Sequence, residues 1–151
     1  MSVSFSPDEY KSFQIFLEKA CGIVLGENKH YLVSSRLNRL MKESNIPSLQ
    51  ALVDSLNKSL NSALRTKVIE AMTTNETLWF RDTYPFQVLS QTIFEEYKEQ
   101  RKSSVRIWSA ACSSGQEPYS ISMTADEFSK KSPGFKVDVV ATDISQAILN
   151  E

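Results

Sequence analysis

The chain has 151 residues, 41% of them apolar and 23% charged, with 17 basic side chains set against 18 acidic ones. This composition excludes disordered and collagen-like classes and suits a protein with a core of ordinary size. The near cancellation of charge removes any whole-molecule reason for non-specific binding to nucleic acid or an anionic membrane, so charge-driven recognition must be local.

Ser6-Pro7-Asp8-Glu9 reads as a capping box, with Ser6 at the N-cap and Glu9 able to reach back to a free amide. Phe13, Phe16, Leu17 and Ala20 then recur at helical spacing, and Gly22 supplies a left-handed residue to end the segment. A second helix is predicted from about Glu27 to Ser44, with Val33, Leu37, Leu40 and Met41 on one stripe and Arg36, Arg39 and Lys42 facing away from it. Ser48 opens a third helix carrying Leu49, Leu52, Val53 and Leu56. Asn61 caps a fourth with Leu64, Val68, Ile69 and Met72.

Beyond the polar stretch Thr73 to Thr77, a fifth helix is predicted from near Thr83 to Gln100, with Phe86, Leu89, Ile93 and Phe94 facing inward. The pattern then changes. Val105 to Ala110 is a β-rich run, residues 111–115 form a turn of small residues, a helix covers Gln116 to Ser129, and Lys136 to Ala141 is a second apolar strand. Ser145 is placed to cap a last helix. Strand, tight turn, helix, strand and acidic residue make one βαβ unit of a nucleotide-binding sheet. The expected architecture is an all-α helical domain over residues 1–82, followed over 83–151 by the start of a Rossmann-like α/β domain. Two parallel strands leave apolar surface uncovered, so this domain reads as unfinished, to be covered by further chain or by self-association with a second copy.

Two segments carry candidate chemistry. The first, Ser109 to Ser120, lies where a strand gives way to a helix; its small side chains let a ligand approach the backbone, and the helix start offers free amides. It is no dinucleotide fingerprint, since only Gly115 is a glycine. Asp143, at the end of the next strand, stands where an acidic side chain accepts hydrogen bonds from ribose hydroxyls; its other reading is a helix cap. The second segment, Thr73-Thr74-Asn75-Glu76-Thr77-Leu78-Trp79-Phe80-Arg81-Asp82, sets polar side chains, aromatics and an arginine between helices; capping alone is one account of it.

In chain order the two segments resemble the chemotaxis receptor glutamate methyltransferase (CheR) family, in which TTNETxFFRD precedes a strand and an AxCSxGEEPYS loop. The resemblance spans nearly the whole chain and implies an adenosylmethionine-dependent O-methyltransferase that esterifies glutamate side chains on the methylation helices of chemotaxis receptors and leaves S-adenosyl-L-homocysteine. A cytoplasmic location is expected because Met1 to Pro7 carries no basic cluster before an apolar run and no window approaches a membrane span of roughly 18 apolar residues. The resemblance also assigns residues. It implies that Asn75, Thr77 and Arg81 contact the methionyl end of S-adenosyl-L-methionine, that Glu117 is the acidic contact in the loop, and that Asp143 holds the ribose. Trp79 and Gln116 depart from the pattern, standing for a phenylalanine and for the first glutamate of a pair.

Such a transfer needs placement more than a base, because a glutamate of pKa about 4.3 is already ionised at neutral pH. Arg81 is therefore the candidate catalytic residue, orienting a carboxylate, foremost the cofactor's own, with its guanidinium fork. The rings of Trp79, Phe80 or Tyr119 either face the sulfonium or pack in a core. Lys29, Arg36, Arg39 and Lys42 are the candidate substrate-binding cations, which the resemblance links to docking on the acidic methylation region. His30 and Cys112 are the residues of a rival nucleophilic mechanism, although nothing brings them together. Cys21 and Cys112 lack a CxxC or Cys/His spacing, so no disulfide framework and no metal site are expected. The competing function is a non-catalytic receptor-docking module with an incomplete cofactor domain.

Overall fold

A computed structural model of the chain describes residues 5–58 and 62–151. Contacts divide the chain into two compact units, Met1–Thr74 and Asn75–Glu151. Sequence analysis sets the boundary after Asp82. Residues 75–82 group with the second unit because two hydrogen bonds tie them there: the Ser113 hydroxyl donates to the Asn75 carbonyl at 2.7 Å and the Phe80 amide donates to Ser120 Oγ at 3.0 Å.

The first unit contains α1 (Pro7–Cys21), α2 (His30–Glu43), α3 (Leu49–Asn57) and α4 (Ser62–Met72). Its start follows the local chemistry of the sequence. Ser6 Oγ accepts the Glu9 amide at 3.2 Å, and Glu9 Oε2 accepts the Ser6 amide at 2.9 Å. Gly22, at φ +75°, ends α1 with its amide on the Glu18 carbonyl. α2 starts at His30 rather than near Glu27, because residues 27–28 form a turn that bonds the Lys29 amide to the Gly26 carbonyl. Ser48 caps α3 through the Ala51 amide. The proposed cap Asn61 lies outside the described residues. Phe13, Leu17, Val33, Leu37, Leu49, Leu52 and Val68 bury themselves completely in the shared core, Leu40 sits half-buried at its edge, and Ile69 is half-buried.

Glu9 closes two helix starts at once, since its Oε1 also accepts the amide of Gln50 in the first turn of α3 at 3.3 Å. The backbone hydrogen bond from Ser6 holds its carboxyl below the ordinary value, against the opposing effect of burial. A carboxyl whose folded pKa is depressed stabilises fully above its unfolded pKa, and the contribution disappears as pH falls through the lower folded value. Glu9→Ala is therefore expected to cost on the order of 1 kcal/mol at neutral pH, the scale of a lost cap. In thermal melts followed by circular dichroism, the difference from the parent chain should be present at pH 7 and vanish in acid.

The second unit opens with residues 75–83 and continues as a rod built from α5 (Tyr84–Val88), a π-turn (Leu89–Ile93) and α6 (Phe94–Glu99). The sequence predicts one regular helix here. The wider turn leaves Leu89 and Ile93 half-buried between the buried Phe86 and Phe94. β1 (Ser104–Ala110), α7 (Gln116–Lys131) and β2 (Lys136–Thr142) follow, with β1 and β2 parallel and paired from Ser104 with Lys136 to Ala110 with Thr142. Phe94, Phe128 and Phe135 meet with ring centroids 5.2 to 5.7 Å apart, and Val105 and Ala125 complete that core.

The other sheet face carries an Arg106–Asp138 ion pair at 2.7 Å and a hydrogen bond from Trp108 Nε1 to Thr142 Oγ1 at 2.9 Å. Trp108 is 69% exposed and Val140 44% exposed, so apolar surface is uncovered on this face, as the strand count predicts. The last predicted helix is only a 3-10 turn, Ile148–Asn150; Ser145 Oγ does accept the Ile148 amide, at 3.4 Å. Among the described residues no helix is long and apolar enough to cross a membrane.

Candidate functional site

The carbonyl ends of β1 and β2 open into the turn 111–115, and three of its features adapt it to a ligand. Ala111 and Ser113 adopt positive φ, at 64° and 53°, and Gly115 does so at 98°. Such conformations are costly for residues with a Cβ and are kept where surrounding bonds hold them. The bonds are present here: Cys112 N donates to the Thr142 carbonyl at 2.9 Å, tying the turn to the end of β2. α7 starts directly behind the turn, with Gly115 at its N-cap and no side chain spending the cap bond, so first-turn amides stay available.

Asp143 sits half-buried at the end of β2. Its Oδ2 accepts the Ser113 amide and its Oδ1 the Ser145 amide, both at 2.8 Å. One carboxylate thus clamps the tips of both strands, and the expected choice between ligand and cap takes a different form. Asp143 does brace the backbone, yet each oxygen retains a second lone-pair direction for a further donor. Glu117 lies exposed in the first turn of α7, and its Oε1 accepts the hydroxyl of the buried Ser109 at 2.7 Å. Gln116 accepts the Ser114 hydroxyl at 2.9 Å.

The segment 75–82 is tied to this turn by the Ser113–Asn75 bond and to α7 by the Phe80–Ser120 bond. Its backbone is strained in the same way, with Phe80, Asp82 and Thr83 at φ 48°, 63° and 49°. Asn75 and Thr77 are half-buried, and Arg81 is exposed. Arg81 holds only a long bond from Nη1 to the Glu76 carbonyl at 3.3 Å and a 4.0 Å approach to Asp82, so its fork is available to an incoming carboxylate. Trp79 and Tyr119 approach with ring centroids 6.3 Å apart and both are exposed, whereas Phe80 packs edge-on against the buried Phe86 at 5.3 Å. The hydroxyls of Ser113 and Ser120, which do the joining, were not singled out from the sequence. Their signal is faint, since in a loop of small residues a serine reads as spacing.

Cys112 is buried, and burial, followed by the nearby charge of Asp143, pushes its thiol above the ordinary value. That is the opposite of an activated nucleophile. His30 lies in the first unit, stacked on Tyr10 with centroids 3.8 Å apart. Among the described residues no group of three His, Cys, Asp or Glu side chains is placed to hold a metal.

Of the four docking candidates, Lys29, Arg39 and Lys42 are exposed. Arg39 pairs with Glu43 at 2.7 Å while its side chain stays 89% exposed. Arg36 departs from the expectation that it faces away into solvent. Its Nη1 donates to the Met72 and Thr73 carbonyls at 2.7 and 2.9 Å, and its Nη2 to Thr74 Oγ1 at 2.7 Å. The C-terminal carbonyls of α4 have no intrahelical donors, and a guanidinium fork satisfies them.

Comparison with known proteins assigns a family description to each unit. Residues 8–73 match the family model for the CheR methyltransferase all-alpha domain, and residues 75–151 match that for the CheR methyltransferase SAM binding domain. The chain is 54% identical over 145 residues to chemotaxis protein methyltransferase Cher2 of Pseudomonas putida and 56% identical over 145 residues to chemotaxis protein methyltransferase 1 of Pseudomonas aeruginosa. Each alignment covers 93% of this chain and 53% of the relative. The chemotaxis protein methyltransferase of Salmonella typhimurium is 34% identical over 138 residues, covering 91% of this chain and 46% of its own. The chain therefore spans about half the length of the curated relatives it matches.

Proposed function

Because the chain belongs to the CheR methyltransferase family, we propose that it serves the transfer of a methyl group from S-adenosylmethionine to glutamate side chains of chemotaxis receptors in the cytoplasm. The observation that carries this reading is the joining of segment 75–82 to the turn 111–115 beside Asp143 and to the α7 that follows, so that every cofactor candidate belongs to one unit. The residues present fit the group: a carboxylate with lone pairs to spare, helix amides left uncapped, a second carboxylate in the first helical turn, and an arginine whose fork is barely engaged. Asp143 would hold the ribose hydroxyls, Asn75, Thr77 and Arg81 the methionyl end, and Glu117 would set a negative charge in the loop to favour a cation. When bound, S-adenosylmethionine supplies a methyl group made electrophilic by its sulfonium.

The rest falls to the chain. An acceptor carboxylate is already ionised at neutral pH, so Arg81 contributes orientation, and the exposed rings of Trp79 and Tyr119 contribute water exclusion. Lys29, Arg39 and Lys42 are the cations offered to the acidic acceptor region, while Arg36 braces the end of α4. A docking module without catalysis is not favoured, since residues 75–151 match the SAM binding domain itself. The test is transfer of radiolabelled methyl from the cofactor to receptor-bearing membranes. Label that base releases as methanol is expected, and cofactor binding without base-labile label would overturn glutamate as the acceptor. Arg39→Glu should lower transfer several-fold, with cofactor affinity kept.

A further inference from the structure

At the opposite end of the sheet from Asp143 the second unit has a concavity of about 390 Å³, large enough for a small ligand. It lies where β1 and β2 begin, because Ser103 and Phe135, the residues just before the two strands, line it. Seven-residue strands rising about 3.3 Å per residue put it roughly 20 Å from the turn 111–115. Lys98, Arg101, Lys102 and Lys131 line it, and no carboxylate does. In a chain of net charge −1 this is a local concentration of charge and no reflection of the whole.

The four cations are not equally committed. Lys98 approaches Glu95 at 3.5 Å, and Lys102 lies over the Tyr97 ring at 4.6 Å. Among the described residues neither Arg101 nor Lys131 has an acidic partner. α6 and α7 both end nearby, and cations in last turns offset the negative ends of helices. That accounts for some of the charge. It does not account for Ser132 in the same wall, which is 7% exposed with a buried hydroxyl that has no hydrogen-bond partner. A buried, unsatisfied hydroxyl costs free energy unless something meets it.

We propose that this cup is an anion site for a phosphate group, carried by a soluble phosphorylated molecule or a lipid headgroup, and separate from the cofactor end. Guanidinium and ammonium groups around a phosphate are a favourable set, with Arg101 giving the directional bonds and the lysines giving charge. The inference does not depend on the methylation reading.

The test is a titration of the whole chain with pyrophosphate at low salt, followed by amide chemical shifts, with a parallel sedimentation on vesicles with and without a phosphomonoester headgroup. Expected are saturable shifts confined to residues 98–103 and 131–135, or sedimentation with the phosphomonoester vesicles alone, which identifies the lipid as the source. In Arg101→Asn with Lys131→Gln the affinity should fall tenfold or more. Asparagine is chosen because Arg101 stands at φ +57°, which asparagine tolerates. An unchanged melting temperature and unchanged adenosylmethionine affinity in that variant separate a lost site from a lost fold. Shifts that are absent or scattered without saturation, together with no selective sedimentation on the phosphomonoester vesicles, would overturn the site, and so would a well-folded variant that binds like the parent.

Discussion

Asp143→Ala is expected to weaken S-adenosylmethionine binding on the order of a hundredfold. Two contributions act together. The substitution removes the acceptor that the proposed function offers to the ribose, and it releases the Ser113 and Ser145 amides that Asp143 holds at the turn and after β2. A hydrogen bond to a charged group is worth about 1.5–3 kcal/mol and each 1.4 kcal/mol is tenfold in affinity, so the loss of one ribose bond and some order in the turn reaches that size. Asp143→Asn keeps one acceptor oxygen and loses the charge, and should fall between parent and alanine. Calorimetric titration measures both; alanine binding as tightly as aspartate would remove Asp143 from the site.

The largest expected effect on stability is that of Phe94→Ala. Phe94 is fully buried and contacts both Phe128 of α7 and Phe135 ahead of β2, so one ring joins the helical rod, the crossover helix and the sheet. Truncating a buried phenylalanine costs about 3–5 kcal/mol. Against a typical domain stability of about 5–15 kcal/mol this is a large share. Amide spectra should show residues 75–151 losing dispersion under mild denaturant while the core around Leu17 and Leu37 keeps its own. A loss below about 1 kcal/mol would mean that the three rings pack far more loosely than their separations imply.

What the sequence made legible was mostly what neighbours along the chain decide. The capping box at Ser6 and Glu9, the left-handed Gly22, the Ser48 cap and the strand-turn-helix-strand order all rest on interactions a few residues long. The features it hid are long-range. Arg36 reads as a solvated cation because its partners lie 36 to 38 residues further on. Glu9 reads as half of a local motif, though Gln50 uses its other oxygen. The π-turn at Leu89–Ile93 has no glycine or proline to announce it, and its contact with α7 is long-range. The joining of segment 75–82 to the turn 111–115 and to α7 depends on Ser113 and Ser120, which are ordinary serines until the fold brings their partners within reach. Motif residues could thus be named from the sequence, while the bonds that hold them together required coordinates.

Whether the carbonyl ends of the two parallel strands form a nucleoside site is decided by titrating the chain with S-adenosylmethionine and, separately, with a dinucleotide. Saturable one-to-one heat for the first, none for the second, and amide shifts clustered at residues 75–82, 111–117 and 143 are the expected result. Heat from the dinucleotide instead, or saturation by adenosylmethionine that leaves those three stretches unshifted, would contradict it.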